Sequence, residues 1–305
     1  MTEGSKAALP ITAIVLTFNE ERNIEACLDS LRGNVAQIVI VDSYSTDRTL
    51  ELARRYTNDV FQNRWVNYAT QYEWATTLPA INQPWILRVD ADERWTPQGF
   101  AQLSELVRQD DLDGIYVRMK IYFMGRWIQH GSFYPNHFLR VYRRDKGSIE
   151  KRWMDEHIEV RGRTVVSDID VIEANYDRQK NLALFTTKHN GYSTREAIDL
   201  LLLRHQRRPP SVASLGQTKT ERKRWIKENI YARTPLFVRP LAYFSYRYFL
   251  RGGFRDGPEG FVFHVLQGLW YRFLVDSKIY QIEHLAREEG RSIEEVVADH
   301  FGFRL

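Results

Sequence analysis

The sequence predicts a mixed α/β fold in which a mostly parallel central sheet is flanked by helices, followed by a helical C-terminal region. Through the first 115 residues, apolar runs of strand length alternate with segments of helical spacing. The strand-length runs are apolar throughout, which is typical of a sheet covered on both faces. After residue 175 the pattern becomes mainly helical. We therefore divide the chain into an α/β domain at 1–175 and a helical region at 176–305.

The elements of the first domain follow one another in order. Strands are predicted for ITAIVLTF, QIVIVD and WILRVD, and helices for NIEACLDSLRG, RTLELARRYT and YATQYEWATTL. From 114 to 144 further strands interleave aromatic and basic residues, and helices are predicted near 181–207 and 219–231. Ligands of such sheets bind beyond the carboxyl ends of the strands, so those ends are where a site is expected.

Composition and cysteine usage place the chain among globular proteins of a reducing compartment. The 305 residues are 43% hydrophobic and 27% charged, which argues against disorder. Cys27 is the single cysteine, so no intrachain disulfide can form, and its apolar helical surroundings predict a core residue. We find no signal-peptide pattern and no run of about 18 apolar residues. The expected location is therefore the cytoplasm.

Basic residues are concentrated in the C-terminal region. Residues 204–255 contain 13 Lys and Arg against two Glu, a net charge of +11 that leaves the rest of the chain at −7. Beside this charge lie the aromatic segments RPLAYFSYRYFLRGGFR and GFVFHVLQGLWYRFLV, a mixture expected at a lipid headgroup boundary. The pattern predicts attachment to the inner face of the cytoplasmic membrane. Packing on the α/β domain or a homo-oligomer contact are the alternatives, and no nucleic-acid-binding motif is present.

Polar side chains cluster where the predicted strands end. The first strand ends in TFNEE, the second in DSYSTD and a later one in DADE. Because the carboxyl ends of parallel strands meet at one edge of a sheet, we expect Asn19, Glu20, Asp42, Asp90 and Asp92 to lie near one another. Asp47 precedes the second helix and is interpreted as its cap.

The DADE segment suits a hard divalent cation. Asp90 and Asp92 flank one residue at a strand end, where side chains alternate with period two and therefore point to the same side. Mg²⁺ and Mn²⁺ prefer oxygen ligands and commonly sit between one or two carboxylates and a substrate's phosphates. A solvated acidic loop is the alternative interpretation. No glycine-rich turn follows the first strand, which argues against a nicotinamide enzyme and a P-loop.

Taken in order, IVLTFNEERNIEACLDSL, IVIVDSYSTDRTLELA and WILRVDADE resemble the N-terminal half of bacterial family 2 glycosyltransferases, which have the GT-A fold. The segments YFMGRWIQHGSFYPNHFLRVYRR and DEHIEV are similar to the branch that extends lipopolysaccharide cores and lipid-linked exopolysaccharide units. The resemblance covers about residues 11–165. It implies an inverting, metal-dependent enzyme that uses Mg²⁺ or Mn²⁺ and a nucleotide-sugar donor, with a UDP-sugar as the first expectation.

The resemblance also implies roles for the residues at the strand ends. Asp92 would hold the metal on the diphosphate, and Asp90 would face the ribose or sugar beside it. Arg140, which follows an aromatic strand, is a candidate for clamping the diphosphate or an anionic acceptor, although the solvated charges of an edge strand would explain it equally. The nucleotide pocket would be lined by residues of the first two strand ends: Thr17, Asn19, Glu20 and Asp42, the last hydrogen-bonded to the base.

The general base is expected downstream of the metal site, in MDEHIEV. Related sequences have V-H-E-x-V-E-V here, which aligns Glu156 with their candidate base and puts Asp155 in place of their His. The two adjacent acids leave the assignment open between them. The predicted acceptor is a lipid-linked oligosaccharide or a lipopolysaccharide-type molecule. Two alternatives stay open: a transferase that loads a polyprenyl monophosphate, and a non-catalytic membrane scaffold with the same fold.

Overall fold

The computed structural model describes residues 7–150, 157–204 and 234–303. The chain divides into two compact units. The first comprises Met1–Trp127 and Tyr134–Lys180, and the second comprises Ile128–Phe133 and Asn181–Leu305. The basic helix predicted near 219–231 lies outside the described residues.

The described residues of the first unit form strands and five helices. The strands are β1 (Leu9–Thr17), β2 (Val35–Asp42), β3 (Val60–Gln62), β4 (Trp85–Asp90), β5 (Glu93–Trp95), β6 (Gly114–Phe123), β7 (Arg126–Trp127), β8 (His137–Arg143), β9 (Gly147–Ile149), β10 (Ile158–Val160) and β11 (Thr164–Glu173). The helices are α1 (Ile24–Leu31), α2 (Thr49–Ala53), α3 (Tyr68–Thr76), α4 (Pro97–Leu106) and α5 (Tyr176–Lys180).

One large sheet organises this unit. Its strand order is β3-β2-β1-β4-β8-β6-β11-β5, with β7 paired to β6, and β9 and β10 form a separate antiparallel pair. Strands β1 to β4, β6 and β11 all run in the same direction, because β8 is antiparallel to both β4 and β6. The predicted mostly parallel sheet is therefore confirmed. The sequence pattern missed β11, which contributes the last of these co-directed strands.

Both faces of the sheet are buried, as the continuous apolar strands predict. On β1, Ala13 and Val15 join one core cluster, whereas Ile14 and Leu16 join another. Side chains on a strand alternate between faces, so β1 sits between two layers. Helices α1, α2 and α4 contribute to the first cluster, and α3 contributes to the second. Cys27 is fully buried in the first cluster, which confirms it as a core residue.

The second unit is helical, which confirms the predicted C-terminal class. Its described elements are α6 (Leu182–Arg204), α7 (Val238–Ser245), a π-helix (Tyr246–Leu250), a 3-10 helix (Gly253–Asp256), α8 (Gly257–Phe263), a second π-helix (His264–Trp270), α9 (Tyr271–Glu289) and α10 (Ile293–Phe301). The core includes Tyr271, Val275, Ile279 and Ile282, spaced along one stripe of α9. Of the helices in the described ranges, none combines the length and apolar character that crossing a bilayer needs.

A short segment between β7 and β8 belongs to this helical unit. The backbone N–H of His130 donates to Asp256 Oδ2 at 2.9 Å, and its ring Nδ1 lies 2.6 Å from Asp256 Oδ1. Arg247 Nε donates to the carbonyl oxygen of Gly131 at 2.6 Å. A Cβ at Gly131, whose φ is +67°, would lie 2.1 Å from His264 Cε1, so only glycine fits this approach.

Candidate functional site

The register of the sheet brings the predicted strand ends together. Thr17 at the end of β1 pairs with Asp42 at the end of β2, and Leu16 pairs with Asp90 at the end of β4. β1 lies between the other two strands and is parallel to both. The three polar loops predicted to converge therefore do so at one edge of the sheet.

Asp42, at the end of β2, is fully buried. Its carboxylate accepts hydrogen bonds from Thr17 Oγ1 at 3.0 Å, from the Ser45 N–H at 2.9 Å and from Gln62 Nε2 at 3.0 Å. These donors join the ends of β1, β2 and β3 through one buried carboxyl group. The expected hydrogen bond between a nucleotide base and Asp42, in which the carboxylate would be the acceptor, stays a prediction.

Asn19 and Asp47 connect the first two loops. Asn19 has a left-handed φ of 54°, which asparagine tolerates well, and its Oδ1 accepts from the Thr46 N–H at 2.9 Å. Asp47 accepts from the N–H groups of Glu21 at 3.1 Å and Thr49 at 3.0 Å. Partial burial raises the pKa of Asp47, but the hydrogen bonds from Thr49 outweigh this effect and leave the pKa below its usual range. Asp47 thus satisfies the first N–H of α2, as a capping residue does, although Arg48 directly precedes the helix.

Glu20 lies at the start of the chain segment leading into α1. Its backbone N–H donates to Thr49 Oγ1 at 2.7 Å, and its Oε2 accepts from Asn23 Nδ2 at 2.6 Å. Asn23 is buried and precedes α1. The carboxylate of Glu20 is therefore fixed by the residue directly before the helix.

Asp90 and Glu93 share one buried arginine. Arg140, on β8, donates from Nη2 to Asp90 Oδ2 at 2.8 Å and also to Glu93 Oε1. The side chains of Arg140 and Glu93 are almost fully buried, whereas Asp90 keeps 31% of its side-chain surface exposed. Two carboxylates and one guanidinium therefore form a single ion cluster at the end of β4.

The pKa values of the two carboxylates in this cluster are shifted in opposite directions. Burial alone would raise the pKa of Asp90, but the positive charges of Arg140 and Arg88 hold it below its usual range. Burial raises the pKa of Glu93 well above its usual range, even though Arg140 opposes the shift. Tyr68 donates to Asp90 Oδ1 at 2.5 Å and accepts from Arg88 Nε at 2.9 Å. Asp90 is therefore the anionic partner of Arg140, with both oxygens occupied by donors from the protein.

Asp92 has a different environment. It is half-buried, and its Oδ2 accepts from Asn175 Nδ2 at 2.9 Å. No described residue donates a hydrogen bond to its Oδ1. Within the described ranges, no three His, Cys, Asp or Glu side chains are grouped closely enough to hold a metal ion. One available carboxylate oxygen suits a cation such as Mg²⁺, which usually binds to one or two carboxylates and completes its shell with waters and substrate phosphates.

The end of β11 and the residues directly after it are a part of the site that the sequence pattern did not predict. Glu173 pairs with Glu93 across the β11–β5 ladder and forms an ion pair with Arg178. Burial raises the pKa of Glu173, and the nearby charge of Asp92 adds to the shift while Arg178 opposes it. Asn175 follows two residues later. The alternation of apolar residues at Val165, Ile169 and Val171 was the signal that could have identified this strand.

The two candidate bases, Asp155 and Glu156, lie outside the described residues. The strands on either side of them in sequence, β9 and β10, pair in antiparallel register from Ile149 with Ile158 onward. Glu150 donates its backbone N–H to the His157 carbonyl at 2.9 Å, which extends this pairing by one step. The roles of Asp155 and Glu156 therefore stay predictions from sequence.

Comparison with known proteins identifies the family to which the chain belongs. Residues 12–162 match the family described as glycosyl transferase family 2. The lipopolysaccharide core biosynthesis glycosyltransferase LpsC of Rhizobium meliloti (strain 1021) is 30% identical over 90% of this chain and 93% of its own length. An uncharacterized glycosyltransferase of Rickettsia felis (strain ATCC VR-1525 / URRWXCal2) is 25% identical over 63% of this chain and 70% of its own length.

Among solved structures, glucosyl-3-phosphoglycerate synthase from Mycobacterium tuberculosis in complex with Mg²⁺ and UDP matches with a TM-score of 0.31. It is 19% identical, over 36% of this chain and 43% of that chain. The similarity to LpsC, by contrast, extends over nearly the whole of both sequences. The chain belongs to glycosyl transferase family 2, and its sheet and flanking helices are the GT-A fold that the strand-end motifs predict.

Proposed function

We propose that the protein transfers a sugar, with inversion, from a nucleoside diphosphate donor to a lipopolysaccharide-type or lipid-linked acceptor. The observation that carries the proposal is the convergence of Asp42, Asp90 and Asp92 at one edge of the sheet. The near full-length similarity to LpsC, whose name assigns it to lipopolysaccharide core biosynthesis, supports the acceptor class.

In this proposal the residues at this edge of the sheet have different roles in binding the donor. Thr17, Asn19 and Asp42 shape the nucleotide pocket through the hydrogen bonds that join β1 to the loop after β2. Asp90, held by Arg140, faces the ribose or the sugar. Arg140 forms ion pairs with Asp90 and Glu93. It therefore affects a bound sugar donor by orienting these carboxylates and by its positive charge at short range.

Asp92 is the residue that would hold Mg²⁺ or Mn²⁺. Its Oδ1 accepts no hydrogen bond from the described residues, whereas both carboxylate oxygens of Asp90 already accept from Tyr68 and Arg140. When bound, the cation would offset the negative charge that grows on the leaving diphosphate. Glu156, or its neighbour Asp155, would accept the proton of the acceptor hydroxyl.

Calorimetric titration of UDP, GDP, dTDP and CDP, with and without Mn²⁺, tests this function. We expect one nucleotide to bind the wild type with metal, and Asp92→Ala to weaken that binding tenfold or more. Glu105→Ala, which removes an exposed acid on α4, is the matched control and should bind as the wild type does. Absence of binding under every condition would contradict the proposal and favour the non-catalytic scaffold.

We also propose that the helical unit attaches the enzyme to the cytoplasmic membrane surface. Its exposed apolar residues form an aromatic patch, which we define as Phe249, Leu250, Phe254 and Phe261 around Tyr248. The three phenylalanine rings lie 5.1, 6.3 and 5.6 Å from the Tyr248 ring, and Leu250 is 79% exposed. Contiguous exposed apolar surface of this kind indicates an interaction site.

The charge around the aromatic patch favours an anionic bilayer as its partner. Arg251 and Arg255 are exposed and lie within the same stretch of chain as the patch. A basic residue near an anionic leaflet contributes about 1 kcal/mol to binding, and apolar side chains add to it by entering the headgroup region. A second copy of the chain is the alternative partner for this surface.

Flotation with vesicles measures the proposed attachment. We expect the wild type to float with phosphatidylglycerol-containing vesicles more than with pure phosphatidylcholine, and the double variant Phe249→Ser/Leu250→Ser to lose about tenfold in binding. Val166→Ser removes a side chain of similar exposure, 53%, from the other unit and serves as the control. Equal flotation of all three proteins would contradict the proposal, and a halved mass of the double variant in light scattering would favour the second copy.

A further inference from the structure

We infer that Asn175 is a positioning residue that holds the Asp92 carboxylate in the orientation that binds the cation. The inference rests on the proposed function, because it concerns the residue to which that function assigns the metal. Asn175 follows β11 and lies outside the three motifs that carry the family resemblance.

The contact between the two side chains is supported by the backbone on both sides. Asn175 Nδ2 donates to Asp92 Oδ2 at 2.9 Å. The backbone N–H of Ala174 donates to the Asp92 carbonyl oxygen at 3.1 Å, continuing the ladder in which Glu173 pairs with Glu93. Asn175 therefore approaches Asp92 from a strand already fixed against it, and one carboxylate oxygen is left for a ligand.

The amide of Asn175 can face Asp92 in only one orientation. Its Oδ1 accepts from the backbone N–H of Asp177 at 2.9 Å, and its backbone carbonyl accepts from the backbone N–H of Gln179 at 3.2 Å. Asn175 is therefore the residue that caps the start of α5. With the oxygen engaged by the helix start, the NH₂ group is the part directed to Asp92. Only an amide offers an acceptor and a donor at these two positions.

The same segment is tied to the first loop of the site. The backbone N–H of Tyr176 donates to Asn23 Oδ1 at 3.0 Å, and Asn23 Nδ2 donates to Glu20 Oε2 at 2.6 Å. The Arg22 guanidinium lies 4.5 Å from the centre of the Tyr176 ring. The ends of β1, β4 and β11 are thus connected through Asn23 and Asn175.

This arrangement matters for a site with one free carboxylate oxygen. A carboxylate that binds a metal loses rotational freedom, and a partner that fixes it beforehand reduces that cost. Hydrogen-bond partners of metal ligands typically change metal affinity by 10- to 100-fold when they are removed. We therefore assign Asn175 an effect on metal affinity in addition to its effect on the helix start.

The substitutions Asn175→Ser and Asn175→Asp separate these two effects. Both keep a side-chain oxygen that can cap α5, but serine is too short to reach Asp92 and aspartate replaces the donor with a carboxylate. Asn67→Ser is the matched control, because Asn67 caps α3 through the Thr70 N–H at 2.8 Å and its side chain makes no hydrogen bond to Asp92, although the helix it caps carries Tyr68, which donates to Asp90.

The first measurement is the Mn²⁺ concentration that supports binding of UDP, or of whichever of GDP, dTDP and CDP binds the wild type. We expect Asn175→Ser to need 10- to 100-fold more Mn²⁺ than the wild type and Asn67→Ser to need the same amount. Thermal unfolding is the second measurement. Asn175→Asp should lose stability in EDTA, because two carboxylates then face each other, and regain it with Mn²⁺.

The outcomes distinguish this inference from the function it rests on. Wild-type Mn²⁺ dependence in both Asn175 variants would overturn the positioning role while leaving the proposed function intact. Failure of the wild type to bind any of the four nucleotides with metal would overturn the proposed function itself. A loss of Mn²⁺ affinity in Asn67→Ser equal to that in Asn175→Ser would also overturn the inference, since any weakened helix start would then have the same effect.

Discussion

Replacing Arg140 with methionine is expected to destabilise the catalytic unit by about 3–5 kcal/mol, the cost of leaving buried charge unpaired. Arg140 is the guanidinium shared by Asp90 and Glu93, and methionine fills similar space without a charge. Chemical denaturation of the wild type and Arg140→Met at pH 7 measures the difference. Nucleotide binding should weaken in parallel, because Asp90 loses the donor that orients it.

The loss should depend on pH in a defined direction. The pKa of Asp90 is lowered in the folded protein, so the stability linked to its charge is present above its unfolded pKa of about 3.9 and is lost as pH falls through the folded value. Without Arg140 burial favours the protonated carboxyl, so the difference between the wild type and Arg140→Met should shrink steadily as the pH is lowered from 7 to below about 4.

Two further variants control for the shape of the substitution. Arg94 is exposed on β5, and Arg94→Met should change stability by less than about 0.5 kcal/mol. Combining Arg140→Met with Asp90→Asn and Glu93→Gln removes the unpaired carboxylates and should restore part of the stability. A loss below about 1 kcal/mol in Arg140→Met would show that the cluster is more hydrated than its burial indicates.

Much of the fold was predictable from the sequence because the strands of a doubly covered sheet carry a simple signal. β1, β2 and β4 are apolar throughout, and the polar residues that follow them mark the carboxyl edge. β11 lacks the continuous apolar run that marks β1, β2 and β4, because Asp168 and Asp170 interrupt it and leave only a weaker alternating pattern. Its direction is set by pairing with β6, more than 40 residues earlier, which no local pattern encodes.

The candidate site was predictable to the same extent and for the same reason. Asp90 and Asp92 belong to one strand end, so their spacing is visible in the sequence. The difference between their environments is not visible in the sequence, because it depends on Arg140 from β8 and on Asn175 after the end of β11. Glu173 and Tyr68 likewise reach the site only through tertiary pairing. Local sequence identifies the acids, and the partners that set their roles come from distant strands.

The second large effect is expected for Glu156→Gln, which should lower kcat by about 10²–10⁴ while nucleotide binding stays unchanged. A carboxylate that accepts the acceptor's proton acts in the chemical step, whereas the donor site at Asp92 binds the nucleotide without it. The measurement is transfer of radiolabelled sugar, from the donor identified by titration, to a truncated lipopolysaccharide core. Asp155→Asn is the matched control and should lose less activity than Glu156→Gln.

The acceptor distinguishes this mechanism from its alternatives. A polyprenyl monophosphate presents an anionic oxygen that needs no strong base, so transfer to it should survive Glu156→Gln. If the wild type prefers that acceptor and the variant stays active, the enzyme belongs to the alternative class. If Asp155→Asn loses more activity than Glu156→Gln, the base is Asp155. Retention of configuration in the product would exclude both assignments, because a single displacement assisted by one base inverts the anomeric carbon.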